Sequence, residues 1–434
     1  MLKQTCVSAI ALILAGSAAW AQGHSIAEVT ATLQTPILTE EDNDADADDP
    51  AIYIDATDSA ASIVVTAVKN GGIRVYNLDG SLRQTIVPFP DGRINNVDLV
   101  YDVPMADGTM ADLVIAADRG LDMIRFYKID NTAAEPLTDV TDPAAARVFP
   151  MRQIPFETGD QDNPVDDQST VYGLTAWHDK ATRTLWIVVT QRHTGRIGFF
   201  KAVAGPDGLT AVLDHAFTAP DEHMGQNLWI ENEDDPALDW SPQFEGVVVD
   251  RTTGTVYAGQ EDVGIWSGAI AGGDLTLAYA TRGTETSTFW NPDSVITRDV
   301  EGLTIYYAAS GTRYLIASSQ GGAHGDAPLA DAPYDDSFAV FTIGDGLELL
   351  GSFRVAASDG LDAVQESDGA DVTSVALPGF PAGLFITQDG YAADLNALDG
   401  EVASTNFKFV DWARIAQSFT PPLEVTPQGW NPRQ

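Results

Sequence analysis

Six segments of similar length repeat one rhythm along this chain, and that repetition restricts the fold more than any other feature. In the first, "AIYID" from Ala51 is followed by a turn, "SIVVTAV", the turn "KNGG", "IRVYNL", the turn "DG" and "SLRQTIV". Each run is rich in β-branched or aromatic residues and each break holds Gly, Asp or Asn, the pattern of short strands joined by tight turns. Four strands linked in this way make an antiparallel meander.

The rhythm returns in "NNVDLVYDV / ADLVIAADRG / MIRFYKI", "VYGLTAWHD / TLWIVVTQRHTG / IGFFKAV", "FEGVVVD / TVYAGQEDVG / IWSGAI", "VEGLTIYYA / RYLIASSQGG / FAVFTI" and "ADVTSVAL / AGLFITQDG / FKFVDW". Repeats of about 40 to 60 residues, each a four-stranded meander, predict radial blades around a channel. The fold class is all-β, a six-bladed β-propeller of four-stranded antiparallel blades. A β-sandwich, the main rival, accommodates six similar units poorly. An N-terminal strand joining the last blade is the expected means of closing the ring.

Lys3, the apolar run from Val7 to Leu14 and the Ala19-Trp20-Ala21 stop have the order of a secretory signal peptide, so residues 1–21 are expected to be removed on export to the periplasm or medium. The apolar run is too short to span a bilayer. Residues 22–40 then read as an N-terminal extension, 41–420 as the propeller and 421–434 as a tail. Cys6 is the single cysteine and leaves with the leader, which removes disulfide and thiol chemistry. A formal charge of −40 argues against nucleic acid and anionic membrane as partners, because counterion release rewards basic surfaces.

When the first strand of a blade is innermost, its start lies at the same end of the channel as the turn between the second and third strands. The strand starts carry Asp48, Asp49, Asn95, Asn96, Asp98, Tyr172, Glu245, Asp299, Glu301, Asp368 and Asp371. The turns carry Lys69, Arg119, Arg192 with His193, Glu261 with Asp262, Gln320, and Gln388 with Asp389. Any one Asp has an ordinary role as a turn cap. A ring of carboxylates at one mouth, however, repels itself unless cations neutralise it. Oxygen ligands with few His and no Cys in the mature chain point to calcium. "DNDADADD" is not an EF-hand loop, since its sixth position is Ala47 and its twelfth Tyr53.

Lys69, Arg119 and Arg192 occupy equivalent turns of the first three blades. A cationic arc facing a cation-loaded ring suits phosphate groups, while salt bridges to neighbouring acids are the plainer use of the same bases. "RHTGRIG" at Arg192 only brushes the R-H-G-x-R-x-P motif of histidine acid phosphatases, having Thr194 and Gly198 where Gly and Pro are required.

The runs "DADADDPAIYID", "GGIRVYNLDG", "INNVDLVYD", "VYGLTAWHD", "EGVVVD", "YAGQEDVGIW", "DVEGLTIYYAASGTRYLIASSQG", "FPAGLFITQDG" and "NFKFVDWARIA" resemble, in order from Asp42 to Ala416, the calcium-dependent β-propeller phytases. The resemblance implies a phosphoric monoester hydrolase of the 3-phytase type that removes phosphate from myo-inositol hexakisphosphate, as its calcium complex. By position it implies that Asp48, Asp49, Asn95, Asp98, Glu245, Glu261, Asp262, Asp299, Glu301, Gln320, Asp362 and Asp368 hold or surround several calcium ions. Lys69, Arg119, Tyr172 and Arg192 become substrate contacts, and Tyr172, Glu245, Glu301 and Arg119 the catalytic set. Water then attacks phosphorus in line with no covalent phosphoenzyme, and a neutral to alkaline optimum is expected. The chain is expected to act as a monomer.

Two departures stand out: Asn70 where many relatives have a second Lys, and Arg192-His193 where a Lys-Glu pair is common. Gln161–Gln168 and Asp221–Trp240 read as insertions near blades three and four. Two other functional classes remain open at this point, a calcium-dependent propeller lactonase or esterase, and a non-catalytic propeller that binds calcium and an anionic partner.

Overall fold

The computed structural model describes residues 26–39, 41–149, 169–220, 222–223, 226–227, 243–282, 293–321, 333–392, 404–425 and 430–433. The expected leader, the first expected insertion and most of the second lie outside the described residues.

Six antiparallel sheets surround a channel. Blade one comprises Pro50–Tyr53, Ile63–Ala67, Ile73–Asn77 and Leu82–Ile86, and blade two Ile94–Pro104, Met110–Asp118, Met123–Ile129 and Leu137–Asp139. Blade three runs through Val171–Asp179, Thr184–Gln191, Arg196–Ala204 and Leu209–Thr218, and blade four through Phe244–Asp250, Thr255–Gln260, Gly264–Ala269 and Thr276–Ala280. Blade five has Leu303–Tyr307, Arg313–Ser319, Ser337–Ile343 and Leu347–Ala356, and blade six Ala370–Thr373, Leu384–Asp389 and Ser404–Asp411.

These strands are apolar on both faces because each blade is covered by a neighbour on either side. Ile63–Ala67 is buried at every position. Its two faces feed different cores: Val65 packs with Val97 and Val114 of blade two, while Val64 packs with Leu384 and Phe409 of blade six. Similar clusters fill the remaining four interfaces, from Ile115 with Ile187, through Val188 with Val249 and Ile265 with Ile305, to Phe338 with Phe385. The sixth cluster, between the last blade and the first, closes the ring.

Closure is made by the N-terminus. Leu33–Gln34 pairs antiparallel with Ser404–Asp411, Leu33 opposite Phe409 and Gln34 opposite Lys408, and becomes the fourth strand of blade six. Leu38–Thr39 pairs further along the same strand. Ile26–Thr30 adds a fifth, parallel strand to blade five beside Leu347–Ala356. The described part of the segment expected to be an extension, residues 22–40, is thus built into the propeller. Strands of two residues have no period to detect, which is why the sequence pattern begins only at Ala51. A short helix, Trp412–Ser418, follows blade six; Asp411 caps it by accepting from the Ala413 N–H at 3.0 Å. Trp412 is fully buried and stacks on Tyr306 at 4.0 Å, bolting blade six to blade five. Among the described residues no helix is long and apolar enough to cross a membrane.

Inside the channel, side chains from the innermost strands clasp adjacent blades. Asp49 accepts the Val97 N–H (3.1 Å) and Asn96 the Leu174 N–H (3.1 Å). Asp98 accepts the Ala176 N–H (2.8 Å) and the Thr175 hydroxyl (2.7 Å). Asp371 accepts the Ile52 N–H (2.8 Å) and the Thr304 hydroxyl (3.1 Å), reaching blades on both sides. Hydrogen bonds to a charged acceptor contribute roughly 1.5–3 kcal/mol each, and losing one here strands a buried N–H.

Candidate active site

The acidic run before blade one is organised by alternation. Ala45 and Ala47 are buried in the core between blades six and one, so the intervening Asp residues turn toward the mouth. The backbone prolongs the innermost strand, with the Asp46 and Asp48 N–H groups donating to Val68 and Ala67 carbonyls. Each acid meets a partner on the turn beyond Val68 or the strand after it: Asp42 pairs with Arg74 (3.0 Å), Asp44 accepts from Asn70 (2.6 Å), and Asp46 and Asp48 face Lys69 at 2.7 and 3.7 Å. Lys69, at φ 43°, also reaches Asp368 of blade six at 3.5 Å. Burial alone would lower the Lys69 pKa; Asp46, Asp368 and Asp48 together outweigh it and hold the amine protonated.

The centre of the mouth is a triad from two blades. Glu245 lies at the start of the innermost strand of blade four, Glu301 just before that of blade five, and Glu261 in the blade-four turn. One carboxylate oxygen from each lies within 4.8 Å of the others. Burial first, then mutual repulsion and the nearby Asp368, Asp299 and Asp262, raise the pKa of all three, Glu261 and Glu301 by the most. Burial likewise pushes Asp48 up, against the pull of Lys69. Glu261 Oε1 is buried with no hydrogen-bond partner. A partnerless carboxylate oxygen among other carboxylates is what a cation site presents, and an all-oxygen donor set fits a hard cation such as calcium better than zinc.

A hydrogen-bonded file leads from this triad to a base. Arg119 donates to Asn95 Oδ1 (3.0 Å), and Asn95 Nδ2 donates to Glu245 Oε1 (2.9 Å). The Arg119 guanidinium lies over the Tyr172 ring at 5.6 Å, and the Tyr172 hydroxyl donates to Glu245. Burial, Glu245 and Glu261 push the Tyr172 pKa far up, so this phenol stays a neutral donor. On the other flank Gln320 Nε2 donates to Glu301 and to Asp368, both at 2.8 Å, while the Asp368 N–H is taken by Gln388.

Of the residues expected at the mouth, Asp48, Asn95, Glu245, Glu261, Glu301, Gln320, Asp368, Lys69, Arg119 and Tyr172 are joined by these contacts. Asp262 is buried beside Glu261, and Asp299, at φ 52°, takes the Gln320 N–H on its carbonyl. Arg192 is held at the same end by its N–H on the Thr170 carbonyl. Asp49 and Asp98 are engaged as inter-blade clasps, and Asp98 also pairs with Arg251 at 3.2 Å. Asp362 lies apart, bound to the fully buried Lys408 that Asp389 and Gln34 also hold.

Asp46 and Gln243 are additional members. Gln243 accepts the His193 N–H at 2.8 Å, its carbonyl takes the Glu261 N–H, and its side chain hydrogen-bonds the Glu261 carboxylate. Nothing in the sequence marks Gln243. A tighter signal exists for the rest: Tyr172, Glu245, Glu301 and Asp368 are each followed by Gly. A Cβ at Gly173 would overlap the Glu245 carbonyl, one at Gly246 the Glu301 carbonyl, and one at Gly302 the Asp368 carbonyl. Adjacent strands converge so closely there that only glycine fits.

A family model described as Phytase matches residues 2–209 and 229–434. Among curated proteins, the 3-phytase of Bacillus subtilis (strain 168) is 29% identical over 421 residues, covering 94% of this chain and 91% of that protein. Among solved structures, the β-propeller domain of Myceliophteria thermophila Cps50 (Swd1) overlaps with a TM-score of 0.38 and 9% identity, covering 83% of each chain. A chain of a mitotic checkpoint complex overlaps with a TM-score of 0.41 and 12% identity, covering 93% of this chain and 98% of that one.

Proposed function

The chain belongs to the phytase family, and from that premise we propose that it is a calcium-dependent phosphohydrolase of the 3-phytase type, acting on myo-inositol hexakisphosphate. The observation that carries the reading is the meeting, at one mouth, of a carboxylate triad with a buried partnerless oxygen and two bases held charged beside it.

Glu245, Glu261 and Glu301 hold calcium in this reading, with Asp48, Asp368 and Gln320 around them. Bound calcium supplies charge neutralisation and polarises phosphate oxygens and water. Arg119, fixed by Asn95 and Tyr172, presents N–H groups to the phosphoryl oxygens, and its planar fork suits bidentate contact. Lys69 and Arg192 balance charge on neighbouring phosphates. Tyr172, kept protonated, donates a hydrogen bond without adding negative charge. No nucleophilic side chain is required, since water attacks phosphorus directly. A substrate carrying many phosphates meets bases on several blades at once, which favours it over a simple monoester. The same proposal takes the protein to be an exported monomer with no nucleic-acid or membrane partner.

The test is inorganic phosphate released from sodium phytate with calcium and with chelator, beside p-nitrophenyl phosphate and a lactone. Calcium-dependent release from phytate exceeding that from the simple ester is the expected result. No release from phytate, or hydrolysis of the lactone alone, overturns it.

A further inference from the structure

The contacts of residues 430–433 point to a role beyond this reading and independent of it. We propose that residues 430–433 form a strap that seals the channel at the mouth opposite the carboxylates, so that the channel interior meets solvent only through the acidic mouth.

The innermost strands end at this far mouth with three buried tyrosines, Tyr53, Tyr101 and Tyr307. Trp430 lies flat on Tyr307, with ring centroids 4.3 Å apart and planes 5° from parallel. Arg433 crosses to the opposite side of the ring. Its guanidinium grips both oxygens of Asp112, donates to the Tyr53 hydroxyl (3.1 Å) and the Ile54 carbonyl (3.2 Å), and lies over the Tyr101 ring at 4.5 Å. Lys180 of blade three donates to the Arg433 carbonyl and to Asp102. Four residues thereby tie blade five to blades one, two and three. A bidentate Arg–carboxylate pair and a ring-stacked guanidinium are among the stronger polar contacts, whereas an untied terminus frays.

The strap has something to seal. Trp430 and Pro432 line a cavity of about 70 Å³ whose walls also include Asp98, Arg251, Asp371 and Glu301. At roughly 10–15 Å³ per water this space admits several waters. Closing its far end keeps bulk solvent from the Asp98–Arg251 pair and from the Asp371 clasp, both of which strengthen in a low-dielectric setting.

Hydrogen–deuterium exchange tests the proposal on the full mature chain, a chain ending at Val425, and the Arg433→Ala variant. With the strap lost, the deep amides of Ile52, Val97 and Ala176 are expected to exchange faster by on the order of tenfold, while the outer strand Leu209–Thr218 keeps its protection. Unchanged deep amides in both variants overturn the proposal. So does an equal rise in inner and outer strands, which means a loss of global stability rather than an opened channel. If the shortened chain does not fold, Arg433→Ala alone decides.

Discussion

Two sets of carboxylates line one channel, the first from blades one, two and six and the second from blades four and five, and they are held in opposite ways. Asp49, Asp98 and Asp371 each accept hydrogen bonds from N–H or hydroxyl donors of a neighbouring blade. Glu245, Glu261 and Glu301 face one another, and one Glu261 oxygen has no donor at all. The first set is a mechanical belt that locks blade to blade; the second repels itself, and a bound cation would relieve that repulsion. Both sets are carboxylates, Asp in the belt and Glu in the triad, and it is the surroundings of the lone pairs that separate their roles.

The largest expected effect comes from breaking the second set. Glu261→Gln should reduce phytate hydrolysis on the order of 10²–10³-fold, the scale of losing one principal electrostatic contact in an active site. It should also raise the melting temperature in chelator, because one repelling charge is gone; a lower chelator melting temperature breaks the comparison. Calcium removal from the unaltered protein comes next. Each site saturated at a hundred times its dissociation constant contributes about 2.7 kcal/mol, so thermal unfolding should fall clearly in chelator.

Breaking the belt should do the converse. Asp371→Ala is expected to cost about 2–3 kcal/mol by denaturant unfolding, since the Ile52 N–H is left buried, with phytate turnover per folded molecule little changed.

A smaller and graded effect is the pH dependence of the calcium-free protein. The triad, Asp48 and Asp371 have folded-state pKa values raised above the ordinary carboxylate range, Asp371 to about 6. The folded state therefore binds more protons than the unfolded one between about pH 4 and those raised values, and stability falls as pH rises through that window. Saturating calcium should flatten the decline. Stability that rises with pH in chelator contradicts the assignment.

The blades were legible because each carries its own period and turn chemistry, and the meeting of strand starts with strand turns at one mouth followed from the meander alone. Lys69, Arg119, Glu261 and Gln320 were placed on that basis. The split between belt and triad was not legible. Asp48 and Asp49 are adjacent in sequence, yet opposite pleat directions send one to Lys69 and the other to the Val97 N–H. Closure by an N-terminal strand was expected, but not its seat at Leu33–Gln34; that register, the seat of Asp362 on Lys408, and the strap of Trp430 and Arg433 depend on long-range contacts of a few side chains, which leave no local pattern.

The most direct measurement is a calorimetric calcium titration of the unaltered protein, Glu261→Gln and Asp371→Ala under identical conditions. The predicted result is strong binding that is weakened or lost in Glu261→Gln and kept in Asp371→Ala. Equal calcium affinity in the unaltered protein and Glu261→Gln, or loss confined to Asp371→Ala, would contradict the division of the channel into a belt and a cation site.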